Sequence, residues 1–182
     1  MKKKEVKISK ANRLINFGTV VLVTSKSGEK TDITPVAWNT PLSHDPMLVG
    51  VSLAKKHCSH DLISKSGEYV INVPGADLIS KVAYCGSVSG RDADKFRESK
   101  LSISDAAAVS VPLISECIAH IECRVEHKYD VGDHTLFVGR VVGASAVDGF
   151  LSPDFIPDVK KFRTLQHLGG ASFGTLKEAG DA

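Results

Sequence analysis

Residues 86–96 read GSVSGRDADKF. Two glycines and two serines lead into Arg91 and Lys95, a combination suited to gripping an anion. Small residues let backbone N–H groups approach a ligand closely, and cations beside a helix N-terminus attract phosphate. The spacing predicts a helix capped by Ser89 near Asp92, with Arg91 and Lys95 four residues apart on one face. Like charges so placed cost roughly 0.2–0.5 kcal/mol unless Asp92, Asp94 or a bound anion offsets them. A capped surface helix of mixed charge is the plainer reading, and the residues alone leave both open.

A second stretch, SLAKKHCSHDLI at 52–63, presents Lys55, Lys56 and His57 at a strand exit and Ser59 as the N-cap of a helix. Cations, hydroxyl and helix start make a phosphate seat. Asp61 already supplies negative charge to that helix end, and a solvated basic loop reads equally well. His57, Cys58 and His60 match no closed metal-ligand set. In TPVAWNTPLSHDP, residues 34–46, Trp38 is the single tryptophan and suits core or interface packing. Asn39 and Thr40 leave a strand before Pro41, where free backbone amides could bond the edge of a heterocycle. His134, after the turn in GDHTLFVG, and His167, in LQHLGGASF, are of the type that moves or polarises a proton near neutrality. Both could equally be ordinary turn-flanking residues.

These residues need a frame, and the patterning supplies a mainly β one. Strands are expected over 19–24, 33–39, 48–53, 69–73, 115–128 and 135–146. Pro35 pushes the second towards a sheet edge. Gly132 and Asp133 make the last two a hairpin. Short helices are expected after Ser59 and over 76–86, with a third in DADKFRES. No strand–helix–strand rhythm recurs, so the expectation is a mainly antiparallel barrel with helices at its edge. Residues 150–182 read as a partly irregular tail ending in a solvated segment at 177–182, and 1–12 as an N-terminal extension. The 182 residues, 42% hydrophobic and 24% charged, suit one soluble domain.

A formal charge of +2 does not point to nucleic acid. Lys2, Lys3 and Lys4 are followed by no apolar stretch long enough for a signal peptide or membrane span, so a cytoplasmic protein without membrane partners is expected. Four cysteines include no CxxC pair. Alternation in ECIAHIECRVE puts Cys117 and Cys123 on the apolar face of one strand, as small hydrophobes. There is no GxGxxG, no GxxxxGK[ST] and no GxSxG.

Taken in order, FGTVVLVTS, TPVAWNTPLSHDPMLVGVSL, HCSHDLISKSGEYVINVP, CGSVSGRDADKF, ECIAHIECRVE, GDHTLFVGRVV and HLGG resemble the flavin reductase-like, FMN-binding split-barrel family, especially its flavoredoxin-like members. The resemblance runs from about Asn16 to Ser172. It implies an antiparallel split β-barrel with a few short flanking helices, acting as a homodimer and holding FMN noncovalently near the dimer interface. By that resemblance Ala37, Trp38, Asn39 and Thr40 line the isoalloxazine side. Ser52, Leu53 and Ala54 follow the ring and ribityl chain. His57 and Ser59 stand where the family usually has Arg and Thr at the phosphate, and Ser89, Gly90, Arg91 and Lys95 complete that end. His134 and His167 fall at the exposed face of the flavin. A neutral histidine holds phosphate less firmly than an arginine fork, so Lys55 or Lys56 is expected to compensate.

The resemblance implies an oxidoreductase passing electrons from NADH or NADPH through FMN to a flavin, a ferric chelate or another acceptor. The alternative it leaves is a flavoredoxin-type carrier exchanging electrons with a protein partner. A split barrel that binds a ligand or haem without turnover would leave the basic segments without purpose.

Overall fold

The structure, a computed structural model, describes Met1 and residues 3–176. In chain order its elements are β1 (Val21–Ser27), β2 (Lys30–Val36), β3 (Asn39–Ser43), β4 (Leu48–Ala54), α1 (Cys58–Ser66), β5 (Glu68–Val73), α2 (Ile79–Ser87), α3 (Lys95–Ser99), β6 (Ile103–Ser104), β7 (Leu113–Ile114), β8 (Ala119–Val131), β9 (His134–Ala146), β10 (Leu165–Gly169) and β11 (Ser172–Thr175). Seven of the strands form one antiparallel sheet in the order β2-β1-β5-β8-β9-β4-β3, curled as a split barrel. No helix among the described residues is long and apolar enough to cross a membrane.

Period-two alternation gives β1 two buried faces. Leu22 joins Ile33, Val82, Phe96 and Leu165 in a core beneath the helices. Val21 and Val23 point the other way, to Val51, Leu53, Tyr69 and Phe137 inside the barrel. Being buried on both sides explains why β1 and β4 read as continuous apolar runs. The β8–β9 hairpin closes with Val131 paired to His134, and Gly132 at φ 64° takes the left-handed position in the turn. That hairpin, together with the pairing of Ala54 to His134, delivers His134 to the end of β4.

Several expectations change. The strand expected over 33–39 breaks at Ala37 and Trp38, and β3 restarts at Asn39. The Asn39 carboxamide donates to the carbonyls of Thr19 (2.9 Å) and Val36 (3.1 Å), satisfying the corner. β2 does end the sheet, as Pro35 implied. Cys117 lies in a bend before β8, so Cys117 and Cys123 occupy different cores rather than one strand face. The tail is more regular than its composition suggested, because β10 and β11 form a hairpin and Thr19 bridges to Gln166. The segment expected at 177–182 lies outside the described residues. A 3-10 helix, Ile8–Leu14, begins in the N-terminal extension and runs past its expected end at residue 12.

Candidate functional site

Three adjoining cavities follow the side of the barrel where β2, the end of β4, the start of α1 and segment 86–95 meet. The first, about 320 Å³, is lined by Asp32, Thr34, Lys56, His57, Ser89, Gly90 and Lys95, among others. The second, about 220 Å³, is lined by Ala37, Trp38, Ser52, Leu53, His57, His134 and His167, together with Asn12, Arg13 and Asn16. Pro35 and His57 line both. A largely apolar third cavity of about 350 Å³ continues past Ala37 and His167 to Val82, Ala83 and Phe173. The shared walls make one continuous groove with a basic end and an aromatic end.

At the basic end, α1 begins at Cys58 with His57 as N-cap, and no side chain caps it. Ser59 is therefore not the cap. Its hydroxyl is buried and donates to Asp32 Oδ2 at 2.8 Å, with Thr34 Oγ1 also 2.8 Å away. Asp32 is in turn 3.1 Å from Lys95 Nζ, which donates to the Ile33 carbonyl at 2.7 Å. Lys95 and Asp32 are only 5% and 2% exposed, so this is a desolvated ion pair held by hydroxyls. The segments around Ser59 and Lys95 thus meet through Asp32. Gly90 lies over the same carboxylate, where a Cβ would come within 2.1 Å of Asp32 Oδ1.

Segment 86–96 is not the single capped helix its spacing suggested. α3 starts only at Lys95, where Asp94 caps it by accepting from the Arg97 N–H at 3.1 Å. Ser89 instead organises the preceding turn, its hydroxyl accepting from the Arg91 N–H and its carbonyl from the N–H groups of Asp92 and Ala93. Arg91 and Lys95 therefore share no helical face. Arg91 is exposed and ties the turn to α1, donating to the Lys56 carbonyl at 2.7 Å and to Asp61 Oδ2 at 2.5 Å. Lys55 is engaged elsewhere, 3.2 Å from Asp130, which leaves Lys56 as the exposed cation lining the first cavity.

His57 joins the two ends. Burial and the positive charges of Lys95 and Lys56 depress its pKa, so the ring is held neutral. Its Nδ1 is buried and has no hydrogen-bond partner among the described residues. Leaving such an atom unmatched costs about 1–3 kcal/mol, so a polar ligand atom would be welcome there.

At the aromatic end, Trp38 and His134 stack with centroids 4.8 Å apart. His134 Nδ1 is 2.7 Å from Asp133 Oδ1. The hydrogen bond from His134 holds the Asp133 carboxyl below the usual range. An ionised carboxylate only accepts, so Nδ1 is the donor of the pair and a neutral ring carries its lone pair on Nε2. Both nitrogens of His167 are engaged, Nδ1 with the Asn16 carboxamide at 2.9 Å and Nε2 with the Gly170 carbonyl at 3.1 Å. Asn16 also accepts from Trp38 Nε1 at 3.1 Å, tying tryptophan, asparagine and histidine together.

The structure therefore brings Ala37, Trp38, Ser52, Leu53, His57, His134, His167, Ser89, Gly90 and Lys95 into one groove. It does not bring Asn39, Thr40, Ala54, Ser59 or Arg91 to the groove wall. Asn39 secures a corner, the Thr40 hydroxyl donates to the neighbouring Pro41 carbonyl, and Ser59 and Arg91 brace the wall from behind. Asp32, Thr34, Arg13 and Asn16 were not anticipated. Alternation in KTDITPV, which turns Asp32 and Thr34 to the side shared with buried Val36, was the signal for the first two.

The chain matches the Flavin reductase like domain over residues 16–164. It belongs to that family. An NADH-dependent FMN reductase of Streptomyces nodosus subsp. asukaensis is 34% identical over 159 residues, covering 87% of this flavin reductase-like chain and 78% of that protein. An FMN-binding protein from Thermus thermophilus, crystallised with bound 1-cyclohex-2-enone, superposes with a TM-score of 0.88 at 26% identity, each chain covered completely. The flavoredoxin of Desulfovibrio vulgaris (Miyazaki F) superposes at 0.87 with 23% identity and covers 100% of this chain and 97% of its own, a likeness of fold.

Proposed function

We propose that this protein is an FMN-dependent oxidoreductase that takes electrons from NADH or NADPH and passes them to a flavin, a ferric chelate or another small acceptor. The observation that carries the reading is a basic cavity and an aromatic, histidine-lined one that share Pro35 and His57 as walls, with the buried His57 Nδ1 unmatched among the described residues. Bound FMN supplies the redox chemistry. Lys95, Lys56, His57, Ser89 and the backbone at Gly90 hold the phosphate, which carries roughly −1.5 to −2 charges near neutrality. Asp32 keeps Lys95 in place but also neutralises it, so Lys56 and the neutral His57 carry a larger share of the grip than a free Lys95 would require. Ala37, Trp38, Ser52 and Leu53 flank the ring. His134 holds or releases a proton at Nε2, while His167 fixes the turn at Gly169 and Gly170. Ser59 and Arg91 act from behind the wall.

The working unit in this reading is a homodimer. Leu42 on edge strand β3, Met47 beside it, and Tyr129 and Val131 on the β8–β9 hairpin are large apolar side chains left exposed by one chain.

The test is anaerobic mixing of FMN-loaded protein with NADH and with NADPH. Loss of flavin absorbance with at least one of them is expected. A flavin that dithionite bleaches but neither nicotinamide reduces would overturn direct turnover, and reduction only by a protein donor would make the chain an electron carrier. His134→Asn is expected to slow turnover while FMN affinity stays within about twofold.

A further inference from the structure

The second cavity is lined by a cation that none of the sequence motifs contains. Arg13, on the N-terminal 3-10 helix, shares that wall with Asn12, Asn16, Trp38 and three histidines. Among the described residues no carboxylate lines the cavity. Four of the other five arginines find acids, Arg91 with Asp61, Arg97 with Glu98, Arg124 with Glu68 and Arg140 with Glu126, and Arg163 finds none among the described residues. Arg13 has no ion pair among the described residues.

The side chain is exposed, and its guanidinium lies against Gly169. A Cβ at Gly169 would stand 2.5 Å from Arg13 Nη1 and 3.2 Å from Cζ, so the guanidinium occupies the space a side chain would take. Gly169 is also at φ 119°, a conformation side chains rarely adopt. Asn16, three residues further on, bonds both Trp38 and His167 and anchors the segment over the cavity. The first glycine of HLGG thus leaves room for a cation brought from the other end of the chain, while Gly170 serves only the turn at φ 56°.

We infer that Arg13 is the residue that recognises the anionic part of the small molecule reacting at this cavity. The inference rests on the proposed flavin chemistry for the substrate's identity, though not for the binding itself. At about 220 Å³ the cavity is smaller than the roughly 300–1,000 Å³ that encloses a drug-sized ligand. With the flavin ring of the proposed function against Ala37, Trp38, Ser52 and Leu53, a substrate meets only the mouth of this cavity, and its remainder lies across the rim. A planar guanidinium there pairs with oxyanions through two parallel N–H groups, which suits a pyrophosphate or a carboxylate. The shared chemistry is an oxyanion, carried either by the pyrophosphate of a nicotinamide dinucleotide or by the carboxylates of a chelated acceptor.

The test uses the full chain loaded with FMN, the wild type against Arg13→Ala, Arg13→Lys and Gly169→Ala. Trp38 lines the same cavity and is the single tryptophan, so its fluorescence reports binding without turnover. The probes are ADP-ribose, which carries the pyrophosphate, and citrate, which carries carboxylates. Arg13→Ala is expected to weaken one of them roughly tenfold, the loss of one charge-assisted contact at an exposed site. Arg13→Lys should recover part of that, and Gly169→Ala should reproduce the loss by displacing the guanidinium. Loss confined to ADP-ribose assigns the nicotinamide donor, and loss confined to citrate assigns the acceptor. In turnover, KM for NADH or ferric citrate should rise accordingly while kcat holds, and KM for a neutral dihydronicotinamide without phosphates should not move. Unchanged constants for both probes would overturn the inference. So would a weakened FMN dissociation constant in Arg13→Ala, since that would make Arg13 part of the cofactor seat. Failure of the wild type to bind FMN at all is read in that same titration and counts against the proposed function instead.

Discussion

Replacing Lys95 by methionine removes one half of the most deeply buried ion pair in the molecule's basic cavity. Lys95 Nζ lies 3.1 Å from Asp32 Oδ1 and both residues are almost fully enclosed. Without the ammonium, the Asp32 carboxylate keeps the Ser59 hydroxyl but no cation, and the Ile33 carbonyl loses its donor. Breaking a buried pair from one side typically costs about 3–5 kcal/mol. Changing both partners, Asp32→Asn with Lys95→Met, removes the stranded charge and should cost much less than the two single changes together. The expected coupling is about 2 kcal/mol or more, against the roughly 0.5 kcal/mol within which independent sites add. Urea unfolding of the FMN-free protein at one pH measures all four members of the cycle, keeping cofactor binding out of the comparison. Additivity within that margin would refute the claim that Asp32 and Lys95 act as one desolvated unit.

Three further outcomes follow from neighbouring groups. His57 has a native pKa below the ordinary 6.5 because of burial and the adjacent lysines; the unfolded chain therefore binds the extra proton first, and stability is full above 6.5 and falls as the pH drops towards the lowered native value. His57→Gln should flatten that fall in urea midpoints taken across the range, and an unchanged slope would contradict the assignment. Gly90→Ala would drive a methyl to 2.1 Å from Asp32 Oδ1; it should destabilise the protein by about 1–3 kcal/mol and weaken FMN binding, read by denaturation and by flavin titration. Burial pushes the Cys117 and Cys123 thiols up to about 12, so neither should react with a thiol reagent until urea unfolds the chain, as mass spectrometry of the labelled peptides would show.

Much of the frame was legible because β strands write their burial in alternation. Leu48–Ala54 and the Gly132 hairpin could be placed from local pattern, and Pro35 marked its strand as an edge. The break at Ala37 and Trp38 was hidden because Asn39 repairs it with one local hydrogen bond, to Val36, and one to Thr19, twenty residues away, which no local pattern encodes. The start of α3 was misplaced for a related reason: Ser89 and Asp94 are both plausible caps, and which one acts depends on Arg91 reaching Lys56 and Asp61. At the site, residues carried by motifs could be named in advance. Alternation in KTDITPV could have placed Asp32 on a buried face, but its role exists only once β2, α1 and Lys95 come together. Arg13 was hidden more completely, because its seat is built at Gly169, at the far end of the chain.

The central claim is that the cavity between the start of α1 and Lys95 receives the phosphate of a flavin. Dissociation constants for FMN and for riboflavin, which differ by that phosphate alone, address it most directly. Two charge-assisted contacts at about 1.5–3 kcal/mol each predict FMN binding at least about a hundredfold tighter, with the gap narrowing as salt is added. Equal affinities for the two flavins would contradict it.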